Sequence, residues 1–225
     1  MMNCISVENM RLSDAYTISR YIPGLTLMRR AAFGVYKAVT WHGRTAIVAG
    51  SGNNGGDGFA LACILQEQGT ECTVFTVSQR LSEDSAYYAE KAKVAGVQIV
   101  PFKPGCLDGF DIVVDCLLGT GFSGSLRDYY RIAIEEINKT DAFTVCVDIN
   151  SGMNGDTGEA ELAVFSDLTV TIGYVKKGLV SANAGKYMKR LVCADIGIVL
   201  VREEELISSD NCPAWLDMNT ISACI

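Results

Sequence analysis

The middle of the chain alternates short, continuously apolar segments with longer amphipathic ones, and this alternation constrains the fold more than any other feature. The apolar segments include RTAIVAG, CTVFTV, FDIVVDCLLG and AFTVCVDI, and they are separated by helical patterns such as GFALACILQEQG and SEDSAYYAEKAKVAG. Strands that are apolar on both faces are typical of a parallel sheet covered by helices on both sides. We therefore predict an α/β fold, a three-layer α/β/α Rossmann-like domain with a mostly parallel sheet, preceded by two amino-terminal helices.

Composition limits what such a domain does. The 225 residues are 49% hydrophobic, which predicts one domain over 1–225 with a core of about 4–200 and a polar, irregular tail after Val201. A net charge of -7 gives no electrostatic basis for binding nucleic acid or an anionic membrane. The apolar runs are too short to span a bilayer, and the first residues do not have the pattern of a signal peptide. Nine cysteines without a C-x-x-C spacing indicate reduced, buried thiols in a cytoplasmic protein.

Polar residues cluster where four of the predicted strands end. IVAG runs into SGNNGGDG, IVVD into CLLGTGFSGS, VCVD into INSGMNGDTG, and VTIG into YVKKG. These loops share one edge of a parallel sheet, where ligands of such folds bind. Turn chemistry accounts for glycine and asparagine there, but two of the strands end on acids, Asp115 and Asp148. Neighbouring carboxylates repel, so we expect a cation or a hydrogen-bond donor between them.

The first of these loops contains a G-x-G-x-x-G pattern, Gly50, Gly52 and Gly55, between a strand and a helix. That context is typical of a turn that binds phosphate at a helix amino terminus. The second strand, however, ends VFTVSQR, without the acid that binds a ribose hydroxyl in dehydrogenases. Asp57 would also compete with phosphate for the amides at the helix start. A dehydrogenase is therefore disfavoured, and Asp57 either caps the helix, contacts the ligand, or does both.

Five ordered blocks resemble the YjeF amino-terminal domain family. They read GSGNNGGDGFALA, VVDCLLGTGFSGSL, VDINSGMNGDTG, TVTIGYVKKGL and ADIGI, and the opening ISVENMRLSDAYTI also resembles the start of that family, so the likeness covers roughly residues 4 to 198. Members of the family are NAD(P)H-hydrate epimerases, which interconvert the R and S epimers of NADHX and NADPHX. The resemblance implies the same activity here.

The resemblance also implies the ligand residues. Residues implied to bind the hydrated dinucleotide are Asn53, Asn54, Gly55, Gly56, Asp57, Gly119, Thr120, Gly121, Phe122, Ser123, Gly124, Ser125 and Asp148. A potassium ion is implied at Asn54, Asp115 and Ser151, a set that offers only oxygen ligands. Without the ion, Asp115 would be a strand-end acid satisfied by loop amides, and Ser151 a simple turn residue.

Epimerisation at C6 of the hydrated ring requires the hydroxyl to leave and water to return on the other face, or the ring to open and close. Departure of the hydroxyl leaves a nitrogen-stabilised cation, so an acid and a nearby carboxylate both assist. We expect Asp148 to be the acid/base group. His42, the one histidine, precedes the first strand and is expected at the opposite end, at the surface or in packing.

The chain departs from the family pattern at three places. Asn150 replaces a proline, which predicts a less rigid loop. Arg29-Arg30 stands where the family has an acidic and small-residue pattern, and this change is expected to alter a helix near the site or a subunit contact. Lys176 matches the lysine of the family, either meeting phosphate or lying in solvent, and is followed by Lys177 where proline is common.

The resemblance further implies a homodimer and a separate NAD(P)H-hydrate dehydratase as pathway partner, because no fused dehydratase domain fits after residue 200. The alternative is a non-catalytic binding or scaffold module on the same fold. A nucleotide-dependent transferase is less favoured, since the glycine loop lacks a phosphate-binding lysine.

Overall fold

The computed structural model describes residues 2–203, 206–207 and 221–223. The helices of this part are α1 (Val7–Arg20), α2 (Gly24–Ala38), α3 (Asn53–Glu67), α4 (Glu83–Val94) and α5 (Asp128–Ile137). Its strands are β1 (Met2–Ile5), β2 (Thr45–Ala49), β3 (Cys72–Thr76), β4 (Gln98–Pro101), β5 (Ile112–Cys116), β6 (Phe143–Val147), β7 (Leu168–Ile172), β8 (Val175–Lys176), β9 (Leu191–Asp195), β10 (Leu206–Ile207) and β11 (Ile221–Ser222).

Eight strands form one sheet in the order β11-β9-β7-β6-β5-β2-β3-β4, and every neighbouring pair is parallel. The chain starts near the centre of this sheet with β2 and moves outward to β4, then returns to β5 and continues outward on the other side. The reversal between β2 and β5 creates the crevice at which ligands bind in such sheets. The predicted α/β class and parallel sheet are confirmed.

The sheet is buried on both faces. In β2, Ile47 and Ala49 pack into the cluster formed with α2, α3 and α4, whereas Ala46 and Val48 pack into the cluster formed with α5. This alternation follows from the period of two of a strand, which sends successive side chains to opposite faces. Both faces need apolar cover, which explains why the strand segments read as unbroken apolar runs.

Local signals set several boundaries. The side chain of Ser82 accepts a hydrogen bond from Ser85 N and caps α4, as its position before the helical pattern predicts. Helix α3 begins earlier than its apolar pattern indicates, at Asn53, so the asparagine and glycine loop forms its first turns.

The sequence patterns miss a second, smaller sheet. Strand β1 pairs in parallel with β8 and antiparallel with β10. The segment LTVTIGYV, predicted as one strand, divides into β7 and β8 at Gly173, whose φ of 74° turns the chain. The tail was predicted to be irregular after Val201, yet residues 206–207 and 221–223 include strand pairings; the rest of that prediction lies outside the described residues.

Two further features of the described residues concern the cysteines and the helix lengths. The seven cysteines among the described residues carry free thiols, and all but Cys106 are buried. Within the same residues, no helix has the length and apolar character needed to cross a membrane.

Candidate functional site

A cavity of about 470 Å³ opens at the carboxyl ends of the central strands. One wall is α1, a second is the start of α2, and the floor is made by the first turns of α3 together with the loops after β5 and β6. Lys176 and Asp148 line the cavity, and so do the acids Asp14, Asp57 and Asp84. The carboxyl edge, where the sequence predicts the ligand, is therefore where the structure brings these charged side chains together.

Asp115 is completely buried at the end of β5 and is held by loop donors. Its Oδ1 accepts hydrogen bonds from Ser151 Oγ (2.6 Å) and Leu117 N (3.1 Å), and its Oδ2 accepts from Ser151 N (2.9 Å) and Cys146 Sγ (3.2 Å). Burial raises the pKa of this carboxyl, and the bonds from Ser151 oppose that shift. Ser151 also accepts a bond from Leu118 N (2.9 Å), so it joins the loops after β5 and β6 rather than serving as a simple turn residue.

Asp148 follows β6 and forms a buried ion pair with Lys176 through Oδ1. Its Oδ2 accepts a hydrogen bond from Thr120 N at 3.1 Å. Among the described residues, Asp148 is the only non-glycine residue with a positive φ, 70°. Such backbone is costly for an ordinary side chain and collects at functional sites. The conformation directs the carboxylate into the cavity.

The prediction that Lys176 meets phosphate or lies in solvent is wrong in its second part, because the side chain has no exposed surface. Besides the ion pair, Nζ donates to Ile172 O (2.7 Å) and Thr171 Oγ1 (3.1 Å), so all three ammonium hydrogens have acceptors. A buried lysine is expected to be paired, and β8 places this one against Asp148. The expected donor for Asp148 is therefore Lys176.

Asn54 lies in the first turn of α3, 8% exposed, and neither its Oδ1 nor its Nδ2 has a hydrogen-bond partner. An unpaired buried amide costs about 1–3 kcal/mol, so the position favours a bound partner. Asn54 lies against Gly119, where an added Cβ would be 3.4 Å from Asn54 Cβ and 2.8 Å from Asp148 Oδ2. Only glycine fits between these two side chains without displacing one of them.

Asn53 and Asp57 flank this contact. Asn53 Oδ1 accepts a hydrogen bond from Ser82 Oγ at 2.7 Å, which connects α3 to the start of α4. The reading of Asp57 as a helix cap is wrong, because the N-cap is Gly52 and Asp57 lies in the second turn. Burial, then the charges of Asp148 and Asp14, hold the pKa of Asp57 well above its ordinary value.

The remaining residues implied to bind the dinucleotide lie at different depths. Gly55 and Gly56 lie in the first turn of α3, where an added Cβ would meet Gly50 O at 2.2 Å or Met28 Cε at 2.6 Å, respectively. Gly119, Thr120, Gly121 and Phe122 line the cavity, and Ser123 lines a smaller depression next to it. Gly124 and Ser125 are exposed farther along the same loop.

The expectation of a less rigid loop at Asn150 is wrong. The side chain is fully buried; Nδ2 donates to Val164 O, Ser166 Oγ and Tyr187 O, and Oδ1 accepts from Thr169 Oγ1 at 2.7 Å. Four hydrogen bonds therefore fix the chain between Asp148 and Ser151.

The arginines of α2 lie outside the cavity lining, although Met28 belongs to it. Arg29 pairs with Glu67 at 3.6 Å, and Arg30 Nη1 donates to Ile196 O at 3.1 Å. These contacts attach α2 to α3 and to the segment after β9.

Helix α1 contributes two cavity residues that the sequence patterns do not identify, Arg11 and Asp14. Arg11 Nη2 donates to Thr120 O at 2.8 Å and so reaches the loop after β5. The four-residue spacing of Met10 and Asp14 marks one face of α1, but no local signal shows that this face meets the sheet edge. His42, in contrast, is exposed near the start of β5 and β6, at the end of the sheet away from the cavity, as predicted.

Comparison with known proteins identifies the family of the chain. A family model described as YjeF-related protein N-terminus matches residues 24–178. The chain is 35% identical over 198 residues to a protein named NAD(P)H-hydrate epimerase from Limosilactobacillus fermentum, covering 85% of this chain and 95% of that protein. It is 38% identical over 200 residues to the bifunctional NAD(P)H-hydrate repair enzyme Nnr of Archaeoglobus fulgidus, covering 88% of this chain and 42% of that enzyme.

The same fold occurs in the crystal structure of yeast ynu0, with a TM-score of 0.75, 20% sequence identity, and coverage of 93% of this chain and 98% of that one. That likeness concerns the fold alone, whereas the family match spans α2 to β8 and includes the loops that form the cavity floor. The chain belongs to the YjeF amino-terminal domain family.

Proposed function

We propose that the protein is an NAD(P)H-hydrate epimerase, an isomerase that interconverts the R and S forms of NADHX and NADPHX. Relatives of this name align with most of the chain. The observation that carries the proposal is the buried pair of Asp148 and Lys176, which opens onto a cavity next to the amino terminus of α3. A carboxylate fixed in this way can exchange a proton with the substrate and stabilise a positive ring.

The altered nicotinamide ring lies against Asp148 in this proposal, and the diphosphate lies against the loop from Gly119 to Ser125 and the start of α3. The N-cap of α3, Gly52, has no side chain to occupy the free amides of the first turn. These amides and the helix dipole attract anions. Asn53, Asn54 and Asp57 supply side-chain contacts, while Gly55 and Gly56 allow the helix to pack closely.

A potassium ion is proposed at Asn54, Asp115 and Ser151. The unpaired Oδ1 of Asn54 supports it, and Ser151 Oγ keeps a lone pair beyond its bonds to Leu118 N and Asp115. All four acceptor positions of Asp115 are taken by donors, so this carboxylate contributes chiefly its charge. When bound, the ion supplies positive charge beside the acids and the substrate diphosphate.

Three further expectations remain proposals. The chain forms a homodimer, which light scattering after gel filtration tests. A separate dehydratase consumes the S epimer; the bifunctional name of the Archaeoglobus relative supports this pairing. The protein works in the cytoplasm, an expectation supported by the free thiols of its described cysteines.

The decisive assay supplies purified R-NADHX and follows the S form by chromatography that resolves the epimers, with potassium and with tetramethylammonium as the replacement cation. We expect acceleration over the spontaneous rate, greater with potassium, and loss of acceleration in Asp148→Asn. Wild-type protein that does not exceed the spontaneous rate would refute the proposal and favour a non-catalytic binding module.

A further inference from the structure

Epimerisation requires proton transfer on both faces of the ring, and a single acid/base group reaches only one of them. The hydroxyl departs from one face of the ring, and water must add to the other face for the centre to invert. A proton is delivered on the first face and removed on the second. Groups placed in two different walls of the cavity serve the two faces better than one group serves both.

Asp14 is a carboxyl in a wall that Asp148 does not share. It lies on α1 and lines the cavity, whereas Asp148 rises from the strand ends at the floor. No donor in the described part of the chain forms a hydrogen bond or ion pair with Asp14. Lys176 is occupied by Asp148 and two neutral acceptors, and Arg11 by Thr120 O.

We propose that Asp14 is a second catalytic residue of the epimerase proposed above, donating and accepting the proton on the face of the ring opposite Asp148. The inference rests on that proposed function. It gives the two carboxyl groups opposite tasks in each turnover: one donates a proton to the departing hydroxyl, and the other accepts a proton from the incoming water.

The electrostatics around Asp14 agree with this division. Burial raises the pKa of Asp14, and the charge of Asp148 raises it further, while Lys176 opposes the shift and Asp84 of α4 adds to it. Asp57 of α3 also lies close to Asp14, because the charges of Asp148 and Asp14 both raise the pKa of Asp57. Asp14 therefore keeps its proton to higher pH than an ordinary aspartate.

Two sets of contacts hold α1, and with it Asp14, in position: the pairing of β1 with β8 before the helix, and a row of hydrogen bonds along the helix itself. Ile5 of β1 pairs with Lys176 of β8, and Ser6 then caps α1 by accepting from Asn9 N. On the face of α1 that turns away from the cavity, Asn9 Nδ2 donates to Arg202 O (2.8 Å), Ser13 Oγ accepts from Val201 N (3.0 Å) and Thr17 Oγ1 accepts from Val199 N (2.9 Å). This polar row sets the rotation of α1.

The Asp14 carboxyl gives its proton to the hydroxyl on C6, the C6–O bond breaks with its electron pair on oxygen, and water leaves. The N1 lone pair forms the N1=C6 bond of the cation. A water on the other face then bonds to C6, its proton passes to the Asp148 carboxylate, and N1 recovers its lone pair. The reverse turnover or solvent returns both carboxyls to their starting states.

Oxygen exchange in H₂¹⁸O separates this role from a structural one. Each pure epimer is incubated with wild type, Asp14→Asn or the control Glu8→Gln, which removes an exposed carboxylate from the same helix. Wild type and control should invert both epimers with label entering at C6. Asp14→Asn should invert about 100-fold more slowly, while one epimer still gains label without inverting, because Asp148 still serves its own face. Asp14→Glu should recover part of the inversion.

Three results overturn the inference. Inversion by Asp14→Asn at the control rate shows that the carboxyl is not needed. An equal loss of exchange for both epimers, with recovery absent in Asp14→Glu, indicates a structural role. The selective pattern in Asp57→Asn instead assigns the second face to Asp57. Wild type that is inactive refutes the proposed function itself, so failure at that level is distinct from failure of the Asp14 variant alone.

Discussion

Replacing Lys176 by methionine removes the charge that faces Asp148 while keeping the length of the side chain. Lys176 has no exposed surface, and its ammonium group has three acceptors: Asp148, Thr171 and Ile172 O. The variant therefore leaves a buried carboxylate without its counter-charge and two neutral acceptors without a donor.

The expected loss in the free energy of unfolding is about 3 kcal/mol. Removing one partner of a buried ion pair costs about 3–5 kcal/mol. The Asp148 side chain keeps 13% exposure on the cavity side, where water partly solvates the charge, so the lower end of that range applies. A loss of this size is a large fraction of the 5–15 kcal/mol by which domains are stable.

Urea denaturation measures this loss in the free energy of unfolding, and it is applied to four proteins: wild type, Lys176→Met, Asp148→Asn and the double variant. Since the double variant has no unpaired charge, it should lose less than the sum of the single variants, with an interaction energy of about 2 kcal/mol. The control is Lys189→Met, which breaks an exposed pair with Asp167 at 2.6 Å and should cost at most about 1 kcal/mol.

Two results would refute the reasoning. One is additivity of the single variants to within about 0.5 kcal/mol, which would show that the two side chains stabilise the fold independently. The other is a loss in Lys176→Met no greater than in Lys189→Met, which would show that burial of the pair is unimportant.

Asn150→Leu should lower the melting temperature by about 6–12 °C, measured by circular dichroism, because the four buried partners of the amide lose roughly 3 kcal/mol together; an unchanged melting temperature contradicts this. Asp57→Asn should have a higher free energy of unfolding in urea than wild type at pH 7, by about 1–3 kcal/mol, because it removes a half-buried carboxyl that no donor among the described residues pairs. Burial raises the pKa of Asp57 in the folded state above its value in the unfolded state, so wild type loses stability as pH rises from the unfolded pKa to the folded pKa. The stability advantage of Asp57→Asn over wild type should therefore shrink towards pH 4, near the ordinary pKa of 3.8. A difference that stays constant with pH would exclude ionisation of Asp57 as its cause. Gly50→Ala places a Cβ 1.9 Å from Leu117 O and should destabilise by several kcal/mol, whereas Gly52→Ala, with nothing within 4 Å, should be nearly neutral in the same assay; equal effects would contradict the close approach.

The amino-acid sequence predicted the layers, the parallel sheet and the edge at which the polar loops and the cavity lie, because these depend on periodic patterns. The run of β2 is apolar at every position, and a strand of that kind requires cover on both faces. Motif blocks likewise predicted the family, which the match over residues 24–178 confirms. The choice of Asn54, Asp115, Asp148 and Ser151 as site residues remains a prediction, although the structure brings them to one edge.

Several predictions failed where a residue's partner lies far away in the chain. Lys176 reads as a surface lysine beside Lys177, but β1 and β7 bury it against a carboxylate 28 positions earlier. Asn150 reads as a loop residue without the stiffness of proline, but its amide meets three carbonyl or hydroxyl acceptors brought in from residues 164 to 187. Local propensity does not register such contacts.

The sequence by itself thus determined the fold class, the family and the edge of the sheet at which the polar loops gather, since each is encoded in short patterns of apolar and turn residues. Only the tertiary structure decided which charges meet there. It paired Asp148 with Lys176, placed Asp14 and Asp57 where no donor among the described residues bonds to them, and turned α1 into a wall of the cavity. The physical reason is that charge state depends on burial and on neighbours brought close in space, and both arise only when separate elements pack together.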